Sequence, residues 1–277
     1  MLIDRDNITK AAEAIRGAQA LLIGAGAGMG VDSGLPDFRG DEGFWKAYPP
    51  YQKLGLDFVS LANPRWFRDD PTLAWGFYGH RLNLYRKTEP HAGYRILNAW
   101  SKLVNRGAFV FTSNVDGHFA RVWLEDFDRI MEVHGSIEWL QCTRQCGKGL
   151  FLADQVLVDE TTMRGQEPLP ACPRCGALAR PNVLMFNDWE WDSKRTAEQE
   201  AQMHTWFQAV GSTPLIVVEC GAGNAIPTVR RFCEEVADHP RRKLIRINLR
   251  EPEVPHGHIG LATGALCGLR AIDEHLI

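Results

Sequence analysis

Four short runs of apolar residues stand out along the chain, and each ends in or leads directly into glycine or polar residues. The runs lie at residues 20–23, 108–112, 214–219 and 243–248. Amphipathic stretches that predict helices lie at residues 7–17, 89–105 and 225–237. Strands that alternate with helices predict an α/β fold with a doubly wound parallel sheet, and ligands of such sheets bind at the carboxyl ends of the strands.

The segment 139–180 differs from the rest of the chain. It contains two pairs of cysteines, is rich in glycine and proline, and has no long helical pattern. This composition predicts a small module inserted into the sheet domain, which would then comprise residues 1–138 and 181–277.

Composition narrows the class of protein. Of the 277 residues, 45% are hydrophobic and 23% are charged, which is typical of a folded globular protein. The 31 basic and 34 acidic residues give a formal charge of -3, and no basic run exceeds residues 241–243. We therefore expect neither nucleic acid nor a membrane among its partners. The amino terminus has no basic region followed by an apolar stretch, so we expect a cytoplasmic protein.

The seven cysteines fall into two groups. Cys142, Cys146, Cys172 and Cys175 form two close pairs, and four thiolates complete the tetrahedral coordination that zinc prefers. The pairs predict one structural zinc ion with no open position for catalysis, the alternative being four ordinary thiols. The remaining cysteines are predicted to be small core residues; they are Cys220, Cys233 and Cys267.

A glycine-rich stretch at residues 24–30 directly follows the first predicted strand. Glycines in such a loop let the backbone amides approach a phosphate closely. The strict G-x-G-x-x-G pattern fails here, because Met29 or Val31 takes the last glycine position, so a hydride-transfer site is disfavoured. The alternative interpretation is a tight turn without a ligand.

Further motifs follow in order: Ser33-Gly-Leu-Pro-Asp-Phe-Arg-Gly40, Thr112-Ser-Asn-Val-Asp-Gly117 and Val133-His-Gly135. With the glycine loop and the cysteine pairs, they resemble the sirtuins, the NAD-dependent protein lysine deacylases, from about residue 20 to about residue 250. The resemblance implies a Rossmann-like NAD-binding domain with a small zinc module. It also implies that NAD is consumed as a co-substrate and that the partners are acylated lysine side chains of other proteins. The products would be nicotinamide, O-acyl-ADP-ribose and free lysine.

The resemblance also assigns roles to individual residues. His134 would be the general base that activates a ribose hydroxyl, and Asn114 and Asp116 would act beside it. The positions that would contact NAD are Gly26, Ala27, Gly28, Asp37, Phe38, Arg39, Ser113, Asn114, Asp116, Gly221 and Asn248. The alternatives are a structural histidine at position 134 and a solvated Asx turn at positions 114–116.

Departures from the family pattern keep other functions open. Ser113 stands where the family has a glutamine, Gly30 replaces a serine, and Cys220-Gly-Ala222 replaces G-T-S. One alternative is therefore an NAD hydrolase or ADP-ribosyltransferase of the same fold. Another is a catalytically silent NAD-sensing or zinc-scaffold protein, against which the presence of both His134 and Asn114 argues.

Tyr78 and Arg81 resemble the Y-x-x-R arrangement of sirtuins that remove succinyl or malonyl groups. If the segment is helical, a spacing of three puts both side chains on one face, where a guanidinium can pair with a carboxylate. The alternative is a commonplace pair on a surface helix, and Gly76 and Gly79 weaken the helix assignment.

Overall fold

The computed structural model describes residues 4–36, 44–46 and 48–276. Its strands are β1 (Ala20–Ala25), β2 (Ala108–Thr112), β3 (Ile130–Glu132), β4 (Gly135–Cys142), β5 (Phe151–Leu152), β6 (Val158–Asp159), β7 (Arg164–Gly165), β8 (Ala179–Val183), β9 (Leu215–Cys220), β10 (Arg242–Ile247) and β11 (Ile259–Leu261). Its helices are α1 (Arg5–Arg16), α2 (Gly28–Val31), α3 (Pro49–Lys53), α4 (Phe58–Leu61), α5 (Trp66–Asp69), α6 (Pro71–Lys87), α7 (Ala92–Leu103), α8 (His118–Val122), α9 (Lys194–Val210), α10 (Thr228–Ala237) and α11 (Ala265–Leu276). A 3₁₀ helix covers Leu124–Arg129.

The main sheet has six parallel strands in the order β11-β10-β9-β1-β2-β3. The four predicted strands form its centre, and the predicted α/β fold with a Rossmann-like parallel sheet is confirmed. The two edge strands, β3 and β11, are only three residues long, too short for an apolar run to reveal them.

The sheet is covered on both faces because its side chains alternate between them. Leu21 and Ile23 point into a core that helices α1, α7 and α11 close. Leu22 and Phe109 point to the opposite face, where α9 and α10 cover them. The first helix begins earlier than predicted because the side chain of Asp4 accepts hydrogen bonds from the backbone N–H groups of residues 6 and 7.

A second lobe contains the predicted cysteine-rich module. An antiparallel sheet in the order β5-β4-β8 and the β6–β7 hairpin form it, without a long helix of their own. Its core also includes Trp75, Phe77 and Tyr78 from α6, which pack with Ile137 and Met163. The exact domain boundaries at residues 138 and 181 stay a prediction.

No helix within the described part of the chain is both long enough and apolar enough to cross a membrane.

Candidate active site

The glycine loop after β1 lies against the loop after β9. A β-carbon on Gly28 would lie 2.7 Å from the Cα of Gly221, and one on Gly26 would lie 2.7 Å from the Cα of Ala222. The N–H of Gly28 donates to the carbonyl of Gly221 at 3.0 Å. The glycines are therefore required by this loop–loop contact at the carboxyl edge of the sheet, whatever ligand the loops hold.

The loop after β2 is tied to the glycine loop. The Asn114 side-chain amide donates to the carbonyl of Gly26 at 3.0 Å. The hydroxyl of Thr112 donates to the carbonyl of Ala25 at 2.9 Å and accepts the N–H of Asn114 at 3.1 Å. These bonds fix the half-buried Asn114 at the predicted ligand edge, beside Ser113.

Asp116 is buried at the amino end of α8. One of its carboxylate oxygens accepts the backbone N–H of His118 at 2.9 Å. The other lies 3.7 Å from the point where a β-carbon on Gly30 would lie. Asp116 therefore also faces the glycine loop, and a serine in place of Gly30 would approach its carboxylate.

His134 follows β3 and is half-buried. The N–H of Val133 donates to the carbonyl of Thr112 at 2.9 Å, which joins this segment to the loop of Asn114. Burial lowers the pKa of His134 below its usual value of 6.5, and the backbone of Ser113 partly opposes the shift. The imidazole is therefore neutral at pH 7, the state in which a ring nitrogen can accept a proton.

Asn248 follows β10 at the same edge and is buried. Its amide donates to the carbonyl of Ala222 at 2.7 Å. Its side-chain oxygen accepts the N–H groups of Arg250 and Glu251, both at 3.1 Å. Asn248 thus joins two loops of the edge, while its contact with a ribose stays a prediction.

Asp37, Phe38 and Arg39, which the sequence assigns to the cofactor loop, lie outside the described residues.

The four paired cysteines come together. The sulfurs of Cys142 and Cys175 are 3.6 Å apart, those of Cys146 and Cys172 are 3.5 Å apart, and all four lie within 4.8 Å of one another. Thiolates at about 2.3 Å from a zinc ion form a tetrahedron of this size. The cluster therefore fits one zinc ion. Cys220 and Cys233 are buried as predicted, but the prediction for Cys267 is wrong, because it lies exposed on α11.

Tyr78 and Arg81 lie on α6, which is helical throughout. Its glycines let the second lobe approach: a β-carbon on Gly76 would lie 1.9 Å from the carbonyl oxygen of Met163. Tyr78 and Arg81 are 1% and 6% exposed, so they are not a surface pair. Close packing of the β6–β7 hairpin, rather than intrinsic propensity, therefore explains the glycines.

Sequence reasoning missed the residues that surround Arg81. The Arg81 Nε donates to the hydroxyl of Tyr85 at 2.9 Å, and the guanidinium lies 5.8 Å from the ring centre of Phe58. Phe58 in turn contacts the ring of Phe186 edge-on at 6.2 Å. The spacing of four between Arg81 and Tyr85 was visible in the sequence, whereas nothing in it connects Phe58 with position 186.

The structure thus brings most of the predicted residues to one edge of the sheet. The loops of Gly26, Asn114, Asp116, Gly221 and Asn248 contact one another there, and the segment of His134 joins them through Thr112. Tyr78, Arg81 and the cysteines belong to the second lobe instead.

Comparison with known proteins agrees with this arrangement. A family model described as the Sir2 family matches residues 26–218, more than half of the chain. An NAD-dependent protein deacylase of Thermus thermophilus is 27% identical over 273 residues, with 95% of this chain and 93% of that protein covered. One of Pyrococcus abyssi is 32% identical over 182 residues, with 65% and 66% covered. The crystal structure of a Sir2 homologue in complex with NAD is 22% identical and has a similar fold, with a TM-score of 0.69 and coverage of 96% and 93%. The chain belongs to the Sir2 family.

Proposed function

We propose that the protein is an NAD-dependent protein lysine deacylase that releases nicotinamide, transfers the acyl group to ADP-ribose and frees the lysine. Relatives named NAD-dependent protein deacylase support this activity, and one of them matches 95% of the chain. The observation that supports it most is a neutral, half-buried His134 joined through the backbone to the loop of Asn114.

NAD would bind along the carboxyl edge of the sheet, at the loops of Gly26–Gly28, Ser113–Asp116, Gly221 and Asn248. It would supply the ribose carbon that takes up the acyl oxygen as nicotinamide leaves. Asn114 is suited to orient that ribose, because its amide is already fixed to the carbonyl of Gly26.

His134 would accept the proton of a ribose hydroxyl at a ring nitrogen. A general base must be unprotonated at the working pH, and burial achieves this here by disfavouring the charged imidazolium. The carbonyl of His134 accepts the N–H of Leu184 at 2.9 Å, so the segment after β8 helps to hold the histidine in place.

The four cysteines would hold one zinc ion in a purely structural role. Four thiolates saturate a tetrahedral ion, so no position is left for a substrate. The ion would join the loop after β4 to the loop before β8, and thereby stabilise the lobe that carries Arg81.

For the acyl group we propose an acidic chain such as succinyl or malonyl. The buried guanidinium of Arg81 would pair with the distal carboxylate and the hydroxyl of Tyr78 would add a hydrogen bond. Arg81 is oriented by Tyr85 and lies beside Phe58, which contacts Phe186 close to the segment of His134. An acetyl group has no distal carboxylate that could pair with Arg81.

The serine at position 113 favours a second candidate function, that of an NAD hydrolase or ADP-ribosyltransferase. Its short side chain replaces the glutamine of the family pattern, so water or another nucleophile has more room at the ribose. A catalytically silent NAD-sensing or scaffold protein would have no use for a neutral base at position 134.

Product analysis tests these functions against one another. The protein is incubated with NAD and with peptides of one sequence that carry acetyl-, malonyl- or succinyl-lysine, and the products are identified by mass spectrometry. O-acyl-ADP-ribose with free lysine is the expected result. ADP-ribose with an intact acyl-peptide would indicate a hydrolase, ADP-ribose attached to a peptide would indicate a transferase of that group, and intact NAD would indicate a silent protein.

A further inference from the structure

Trp189 is the most exposed large hydrophobic residue in the described part of the chain, with 95% of its surface accessible. Tryptophan is among the residues that contribute most to protein interfaces, because its ring offers a large apolar surface. It belongs to the segment 184–192, which follows β8.

This exposure is imposed by buried contacts rather than by a loose loop. The carboxylate of Asp188 pairs with both terminal nitrogens of Arg180, at 2.7 and 2.8 Å, and both side chains are almost fully buried. The Gln141 amide donates to the carbonyl of Glu190 at 2.8 Å, and the Asn182 amide donates to that of residue 192 at 2.8 Å. The segment is thus held on both sides of Trp189, and the indole points outward from a fixed stretch of backbone.

The indole borders a groove of about 580 Å³ between the cysteine module and the chain around α5. Three exposed arginines line the groove: Arg65, Arg68 and Arg144. The opposing carboxylates are Glu190 on the lining and Asp69, which pairs with Arg68. The surface therefore combines excess positive charge with one large aromatic ring.

The same segment leads to the proposed active site. Leu184 donates its N–H to the carbonyl of His134 at 2.9 Å, and Trp189 lies five residues further along. Five residues of extended chain span at most about 18 Å. A substrate peptide in the extended conformation covers that distance with about five residues on one side of its modified lysine.

From these observations we infer that Trp189 and the groove of Arg65, Arg68 and Arg144 bind an acidic segment of the acylated protein, within about five residues of the acyl-lysine. The inference rests on the proposed function for the location of the lysine. Separate carboxylates with an apolar neighbour fit this surface. A continuous phosphate backbone fits it less well, because Glu190 and Asp69 interrupt the positive charge, whereas separate carboxylates can contact the arginines one at a time.

The experiment compares two acyl-lysine peptides that differ only in their flanks, one with Asp and Glu at three to five positions from the lysine and one with Asn and Gln there. Binding is measured by calorimetry and turnover by release of free lysine, for the full chain and for Trp189→Ala and Arg144→Gln. Leu103→Ala and Arg231→Gln are matched controls, since Leu103 is 68% exposed on α7 and Arg231 is exposed on α10, outside the groove.

We expect the wild type to bind the acidic peptide about tenfold more tightly, and Trp189→Ala to weaken the binding of both peptides about tenfold, because the indole contacts the apolar part that they share. Arg144→Gln should lower the affinity for the acidic peptide several-fold and reduce the salt dependence of its binding. The controls should retain the full preference, and the rate on a free acyl-lysine substrate should be unchanged in every variant.

The two proposals fail separately. Equal affinity of the wild type for both peptides, or affinities that Trp189→Ala leaves unchanged, would overturn the docking surface even if the lysine is deacylated. Binding that depends on Trp189 without any deacylation would support the surface and refute the proposed activity. Displacement of the acidic peptide by a single-stranded oligonucleotide at lower concentration than by the free acidic flank would reassign the groove to nucleic acid.

Discussion

The carbonyl oxygen of Asn182 lies 2.1 Å from the point where a β-carbon on Gly135 would lie. Gly135 also has a φ of +77°, in the left-handed region that favours glycine. β4 begins at this residue and pairs it with Val183 at the end of β8. The residue after His134 must therefore lack a side chain if β4 and β8 are to pair there.

Gly135→Ala should lower the free energy of unfolding by about 3 kcal/mol or more, because backbone strain and the clash with Asn182 add. Chemical denaturation measures the loss. Gly257→Ala is the matched control, since Gly257 has a φ of +87° but nothing within 4 Å of the added carbon. It should lose only about 1 kcal/mol. Equal losses in the two variants would show that the contact with Asn182 is unimportant.

Removal of the metal should unfold the second lobe first. We expect about one zinc ion per chain by elemental analysis, because four thiolates saturate the site. Cys172→Ser should lose the ion and lower the melting temperature of the lobe. Cys267→Ser should keep the zinc content and the melting temperature of the wild type, since Cys267 lies outside the cluster. Fully folded and active protein without zinc would contradict this prediction.

The acidic limb of the pH profile of kcat/KM should report the protonation of His134. Its pKa is lowered by burial, so the base stays neutral until the pH falls below 6.5, and kcat/KM should decrease only there. His134→Ala should keep less than about a tenth of the wild-type rate, a loss of more than about 1.4 kcal/mol. His204→Ala, at an exposed site on α9, should change neither the rate nor the acidic limb of the pH profile. A limb with its midpoint above 7 would argue against His134 as the base.

Much of the fold could be predicted from the sequence because parallel strands are buried on both faces and appear as continuous apolar runs. The ends of those runs also located Asn114, Asp116 and Asn248 at one edge. The edge strands could not be found, since three residues carry too little pattern.

The sequence could not show contacts between residues that are distant along the chain. The pair of Arg180 and Asp188 is buried, although two charged residues so close in sequence usually indicate an exposed segment. The contact of Phe58 with Phe186 depends on the packing of both lobes. The helix over Tyr78 and Arg81 was doubtful for a related reason, because Gly76 and Gly79 oppose a helix locally. Only the hairpin packed against them explains why they are tolerated.

Arg81→Met should change the choice of acyl group. If Arg81 pairs with a distal carboxylate, wild type should prefer succinyl- or malonyl-lysine to acetyl-lysine by about tenfold to a hundredfold in kcat/KM, and the variant should lose that preference. Lys87→Met, on the same helix but exposed, is the control for charge. An unchanged ratio in Arg81→Met would remove Arg81 from the acyl site.

Coupling of NAD cleavage to deacylation distinguishes a deacylase from an NAD hydrolase. Nicotinamide and free lysine are quantified together, with NAD and either an acyl-lysine peptide or the same peptide unmodified. We expect one nicotinamide to be released for each lysine freed, and the release to be at least about tenfold slower with the unmodified peptide. This result would show that NAD is cleaved by reaction with the acyl group. Nicotinamide release at the same rate with both peptides would contradict it and identify an NAD hydrolase instead.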